Sequence, residues 1–357
     1  ELGKLVGVGS RADSALREAP DNAYVSGGPA SQVPYGTLAR DGRRFVSLRT
    51  PAEEIATLGE PAMEPIRVYI GLHSADTVES RVDLAIAELE RLGGFDRSTL
   101  LIMSPAGSGY ADYVAADAIE CITRGDVASV VVQYGVLPSM LSLRRVALGA
   151  RTQRLLLDRI AERATGTVLM YGESLGARVA QEALQLAPPR VDDHGRVSGV
   201  DTVVCVGTPG GPSLRNDLLN CPNVVHLDRC QQLTGFEQGQ LWFVDHDADP
   251  VTRWDGELAY RDPYWLRHPR GRNVPGDMAW MPVITWWQVI FDLAYAAQQQ
   301  SGQFHSIGHD YRADLTHILA AALGDGAEAD RIQKLLEVRE VARDEVVSEP
   351  LPAVSTS

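Results

Sequence analysis

Five consecutive residues, Gly172-Glu173-Ser174-Leu175-Gly176, carry the strongest chemical signal in the chain. An apolar, strand-like run at 167–171 leads straight into them, and a helical pattern at 177–186 follows. A serine in G-x-S-x-G between strand and helix sits on a turn so tight that side chains two positions to either side would clash, hence the glycines. Such a turn holds the serine at strained backbone angles with its oxygen exposed above the sheet. The chemistry this predicts is attack on a carbonyl by Ser174.

A serine at its ordinary pKa needs a base, and the base needs an orienting acid. In sheets that carry this turn, acid and then histidine follow the serine in chain order, on loops at the carboxyl ends of later strands. The strand expected at 241–244 runs into Asp245-His246-Asp247-Ala248-Asp249-Pro250-Val251. Asp249 is preferred because it precedes Pro-Val, which forces an extended exit and leaves the carboxylate along the sheet edge. Asp247 is the second choice, and a merely solvated acidic loop is the alternative for any of the three. Of the eight histidines, His73, His194, His226 and His246 precede this acid, and His268 lies in a Pro/Arg-rich loop. His305, His309 and His317 remain. The stretch Ser306-Ile307-Gly308-His309-Asp310-Tyr311 reads as a turn ahead of a helix beginning near Arg312, which favours His309 as base, with His305 as the alternative.

Acyl transfer also needs hydrogen-bond donors for the oxyanion. One is the backbone N–H of Leu175. The other is expected from the small-residue loop Ser104-Pro105-Ala106-Gly107-Ser108-Gly109, at Gly107 and Ser108, where the backbone can approach a substrate closely. That loop lacks the G-x-G-x-x-G or Lys-Ser/Thr of a phosphate cradle. All six tryptophans fall between Trp242 and Trp287. Core packing is their default role. Trp286, Trp287 and Met281 are the candidates for an apolar substrate wall.

These residues need a scaffold, and the pattern supplies one. Short apolar runs at 66–72, 99–103, 128–134, 167–171, 202–206 and 241–244 alternate with helical stretches at 79–92, 110–123, 143–164 and 177–186. This implies an α/β fold with a mostly parallel sheet, right-handed crossovers and helices on both faces. Residues 1–60 are loop-rich and expected to wrap the core, with one helix start written in Thr50-Pro51-Ala52-Glu53 as N-cap, proline and capping-box glutamate. Residues 61–323 read as the catalytic domain. After Gly324-Asp325-Gly326 a helix is expected at 327–343 and a disordered polar tail at 344–357.

Composition narrows the partners. Asp and Glu number 47 against 33 Lys and Arg, a net charge of −14, which argues against nucleic acid and anionic membrane surfaces. No apolar run reaches the ~18 residues of a membrane span. The chain starts with Glu and no apolar signal region follows, so the expectation is a chain cut from a longer one, any anchor lying in the missing part. The four cysteines form no C-x-x-C, which sets aside metal-cluster readings; Cys221 and Cys230 are the pair that could bridge.

Taken together, Pro65-Ile66-Arg67-Val68-Tyr69-Ile70-Gly71, Gly107-Ser108-Gly109, Gly125-Asp126-Val127-Ala128, Gly172-Glu173-Ser174-Leu175-Gly176, Asp249-Pro250-Val251 and Gly308-His309-Asp310-Tyr311 resemble the actinobacterial membrane-associated α/β-hydrolase family. In that family a cutinase-like catalytic domain follows a hydrophobic multi-helix segment, absent here. The resemblance spans about Gly42 to Leu319. It implies an α/β-hydrolase fold with Ser174, Asp249 and His309 as nucleophile, acid and base. It also implies a cutinase-like oxyanion loop in which Ser108 supplies hydroxyl and N–H. Ile307 stands where the family tends to have a second histidine. The expected function is hydrolysis of a lipid-like or other apolar ester or thioester, with no cofactor or metal. Acyl transfer to an alcohol and a non-catalytic interaction domain are the alternatives.

Overall fold

Valine and isoleucine dominate the runs that form the sheet, because branched side chains pack well on a pleated surface buried on both faces. The computed structural model describes residues 16, 18–135, 145–187, 196, 198–218, 221–233, 239–267, 269–296 and 303–348. Within them, seven strands form one sheet: β1 Ile66–Ile70, β2 Thr99–Ser104, β3 Val127–Val132, β4 Thr167–Glu173, β5 Thr202–Val206, β6 Val224–Leu227 and β7 Leu241–Val244. Their order is β1-β3-β2-β4-β5-β7-β6, and every pairing is parallel. The α/β expectation therefore holds, and β4 lies at the centre.

Eleven α-helices surround the sheet among the described residues: α1 Arg40–Ser47, α2 Ala52–Ile55, α3 Val78–Leu92, α4 Tyr113–Ile122, α5 Val146–Ala161, α6 Leu175–Gln185, α7 Leu214–Asp217, α8 Pro250–Arg253, α9 Ile284–Ala296, α10 Arg312–Ala322 and α11 Ala329–Ser348. Helices α3, α5 and α6 pack together over one face, and α4, α10 and α11 over the other. The crossover helices raise β4 between them, so the turn at its carboxyl end opens at the sheet's rim, where α/β folds bind ligands.

Several expectations need correction. The loop-rich first sixty residues hold a two-turn helix, α1, in whose first turn Gly42 packs so closely on Tyr69 that an added Cβ would lie 2.5 Å from the ring. Thr50 caps no helix. Its hydroxyl donates to Asp117 (3.0 Å) and its N–H to Glu120 (2.9 Å), inside a buried network in which Arg67, fully enclosed, also reaches Asp117 at 2.7 Å. A buried guanidinium needs such partners. Strand β6 escaped the sequence reading because it is a four-residue, half-exposed edge strand. Helix α9 opens with Ile-Thr-Trp-Trp, residues of middling helix propensity. Helix α11 runs on to Ser348, past the expected start of the tail, and Arg343 clasps Asp117 at 2.6 Å. All four cysteines are free: Cys121 and Cys205 are buried, Cys221 is exposed and Cys230 partly buried. No described helix is long and apolar enough to cross a membrane.

Candidate active site

Ser174 stands between β4 and α6 with φ 53° and ψ −125°, left-handed backbone rare for a residue with a side chain. Steric room explains the two glycines around it. A Cβ on Gly172 would lie 2.6 Å from the Gly176 carbonyl oxygen, and one on Gly176 would lie 2.2 Å from that of Ser104. The Ser174 N–H donates to the Val206 carbonyl at 2.9 Å, tying the turn to the end of β5. Its side chain makes no cap bond to α6, and the residue is partly exposed. Leu175 opens the 11-residue helix α6, so its backbone N–H belongs to the positive end of the helix dipole.

The loop that carries His309 reaches the same rim. His309 follows Gly308 and precedes α10, and its ring rests on Gly207, the residue after β5. A Cβ at Gly207, where φ is +58°, would lie 2.6 Å from His309 Cε1. Val206 and Gly207 thus hold the serine's backbone and the imidazole side by side. On its far edge, His309 Nδ1 donates to Asp249 Oδ2 at 2.7 Å, and Asp249 is fully buried.

Asp249 takes extended angles, φ −75° and ψ 115°, as the following proline requires. The exit is not extended, however. Pro250 occupies the first position of α8, and Asp249 caps it by accepting the Val251 N–H at 2.8 Å through Oδ1. The competing aspartates are engaged elsewhere. Asp247 accepts from Arg253 and from the Arg272 N–H, and Asp245 from the Thr208 N–H and Arg215. His317 lies on α10 beside Asp330, and His305 is partly exposed four residues before His309.

The sequence profile of the Alpha/beta-hydrolase family matches residues 66–335. The chain belongs to the alpha/beta-hydrolase family. No individually curated protein matches it significantly. In this alpha/beta-hydrolase Asp249 follows the end of β7, His309 lies on the loop before α10, and Ser174 follows β4.

Electrostatics set the protonation states. Burial lowers the His309 pKa, but the Asp249 carboxylate in contact, with Asp245 and Asp310 beyond, outweighs it and leaves the imidazole above its ordinary value. Tyr311 donates its hydroxyl to Asp249 Oδ2 at 2.7 Å. Burial and then the Asp249 charge hold that phenol well above its usual range, so it remains a donor. Glu173, next to the serine, is pushed well above the carboxylate range by burial and by Asp112. With its charge disfavoured, Glu173 adds little to the negative charge that Asp249, Asp245 and Asp310 already bring to His309. Sequence reading missed Tyr311 and Glu173, although both lay within quoted motifs; their roles depend on contacts with residues 62 and 61 positions away, Asp249 and Asp112.

The loop after β2 is held from three sides. Tyr69 donates to the Gly109 carbonyl (2.7 Å), Gln133 to that of Ser108 (2.8 Å), and the Ser108 hydroxyl to Asp41 of α1 (2.7 Å). That hydroxyl is engaged, so what Gly107 and Ser108 offer a ligand is backbone N–H.

Trp286 is half-buried with its ring centroid 6.3 Å from that of Trp254, just past α8, whereas Trp287 and Met281 are exposed. Ile284, Trp287, Phe291 and Tyr295 make an exposed apolar stripe on α9. None of Met281, Trp286 or Trp287 lines the cavity of about 1080 Å³ beside the acid loop, which is walled by Arg215, Asp245, Asp247, Arg253, Tyr260 and Tyr264 among others. Among the described residues, no three His, Cys, Asp or Glu side chains converge as a metal-holding group.

Proposed function

We propose that this alpha/beta-hydrolase is a serine hydrolase that cleaves carboxylic esters or thioesters of an apolar acyl substrate through an acyl-enzyme. The observation that carries the reading is the 2.7 Å His309–Asp249 contact with the imidazole seated on Gly207, beside the strained Ser174. Ser174 Oγ attacks the carbonyl carbon while His309 Nε2 takes its proton. The N–H of Leu175 and the N–H groups of Gly107 and Ser108 receive the oxyanion. Collapse of the tetrahedral intermediate breaks the bond to the leaving alcohol or thiol, which departs with the proton from His309. Water then attacks the acyl-enzyme, giving its proton to His309, and a second collapse releases the acid and restores Ser174. Asp249 keeps the imidazole in the tautomer that leaves Nε2 free and stabilises the imidazolium that forms. The apolar stripe of α9, packed on α8 directly after Asp249, supports an apolar substrate.

The same three residues, Ser174, His309 and Asp249, serve a second reading, transfer of the acyl group to an alcohol in place of water. Covalent labelling by a fluorophosphonate tests the first reading: expected is one label per chain, on Ser174, abolished in Ser174→Ala. Labelling that persists in the variant overturns it. Adding alcohols to the ester assay separates the readings, because a transferase makes new ester at the expense of free acid.

A further inference from the structure

His246 lies in the acid loop but is unlike a catalytic histidine: it is 1% exposed and both ring nitrogens are occupied. Nδ1 is 2.8 Å from the carbonyl oxygen of Gly308, the residue before His309, and Nε2 is 3.2 Å from Asp314 Oδ2 on α10. A carbonyl oxygen has no hydrogen to give, so Nδ1 is the donor to Gly308. Asp314 is ionised: burial opposes its charge, yet bonds from His246, Ser306 and Cys230 hold its pKa down to about 2. The His246 ring also stacks on Tyr311, centroids 4.0 Å apart, and its backbone N–H donates to the Tyr311 hydroxyl at 3.0 Å. One side chain thus ties the acid loop, the base loop and the first turn of α10 together.

We propose that His246 is a positioning residue that sets the height of His309 over Ser174 by holding the Gly308 carbonyl. The proposal rests on the serine hydrolase reading above. Gly308 has φ +57° and can swing more freely than any other residue, so the loop needs an external tether at this point. A shift of the base by a fraction of an ångström weakens proton transfer without touching substrate binding.

Two near-isosteric variants separate the tethers. In His246→Asn the amide nitrogen falls near the Nδ1 position and keeps the bond to Gly308; in His246→Gln it falls near Nε2 and keeps the bond to Asp314. The expected result is a kcat in His246→Gln lowered ~10–100-fold with KM within about twofold, alongside a His246→Asn variant within a few-fold of wild type and rates of fluorophosphonate labelling in the same order. Equal losses in both, or losses that follow thermal stability rather than the Gly308 bond, overturn the tether. Should either variant fail to fold, nitrogen-15 NMR of the wild-type imidazole decides: an N–H at Nδ1 of His246 is expected, and a bare Nδ1 overturns the proposal. A wild-type protein that the fluorophosphonate does not label refutes the hydrolase reading itself, whereas normal labelling of His246→Gln refutes only the tether.

Discussion

Tyr311 and His309 donate to the same oxygen, Asp249 Oδ2, each at 2.7 Å. Two donors on one lone-pair pole spread the aspartate's charge, so the phenol moderates how strongly the carboxylate holds the imidazolium. Removing it in Tyr311→Phe should raise the His309 pKa further and move the acid limb of kcat/KM to higher pH. The same change deprives the His246 N–H of its acceptor, so stability should fall by about 1–3 kcal/mol. A pH profile and a denaturant titration on one sample read both effects, and an unmoved acid limb contradicts the shared-oxygen account.

Asp249→Asn should lower kcat on the order of 10⁴-fold, since an amide favours the wrong tautomer. Without the carboxylate, burial is opposed only by the more distant Asp245 and Asp310, so the remaining acid limb should shift to lower pH. Asp247→Asn, whose carboxylate serves Arg253 and the Arg272 N–H, should change kcat only a few-fold. Ester kinetics on the pair of variants decides between the acids.

The raised His309 pKa sets opposite trends for activity and stability. A general base must be unprotonated, so kcat/KM should climb with pH, reaching half its plateau above the ordinary histidine value of about 6.5. The imidazolium–Asp249 contact stabilises the fold most below that unfolded value and is lost as pH rises through the folded one. Asp314 behaves in the other sense: its contribution is present above about 3.9 and disappears as pH falls toward about 2. Thermal melts across pH 2–9 test both signs.

Gly207→Ala places a methyl where His309 Cε1 already stands and forces it to φ +58°. The base should be displaced, with kcat down ~100-fold and KM little changed. A variant with wild-type turnover shows that the ring does not need this seat.

If α9 and Trp286 offer an apolar wall to the acyl chain, kcat/KM should rise from acetate to longer esters by up to ~0.8 kcal/mol per methylene until the surface is covered. Trp287→Ala should flatten the rise. A flat or falling wild-type profile replaces the apolar substrate with a small polar ester.

Much of the fold was legible because each central strand is a short, nearly continuous apolar run and each crossover helix carries its own periodicity. The G-x-S-x-G turn was legible for a stronger reason: its constraint is local, two glycines within five residues. What escaped depends on distant partners. Thr50 has the local chemistry of a cap, yet Asp117 and Glu120 of α4 compete for it and win. His246 was set aside by its place in chain order, and nothing near it in sequence announces Gly308 or Asp314. Asp249 stood out from Asp245 and Asp247 only through the proline beside it, and the proline's effect was half misread, since it starts a helix.

The 2.2 Å that would separate a Gly176 Cβ from the Ser104 oxygen has a bearing on how this enzyme could be altered. The turn that carries Ser174 and the start of the loop after β2 share a wall with no slack, so neither can be shifted without the other. If Ser174 is the nucleophile, new substrate range, whether reached by selection or in the laboratory, has to come from residues 254–267, which follow α8, and 284–296, which pack on it.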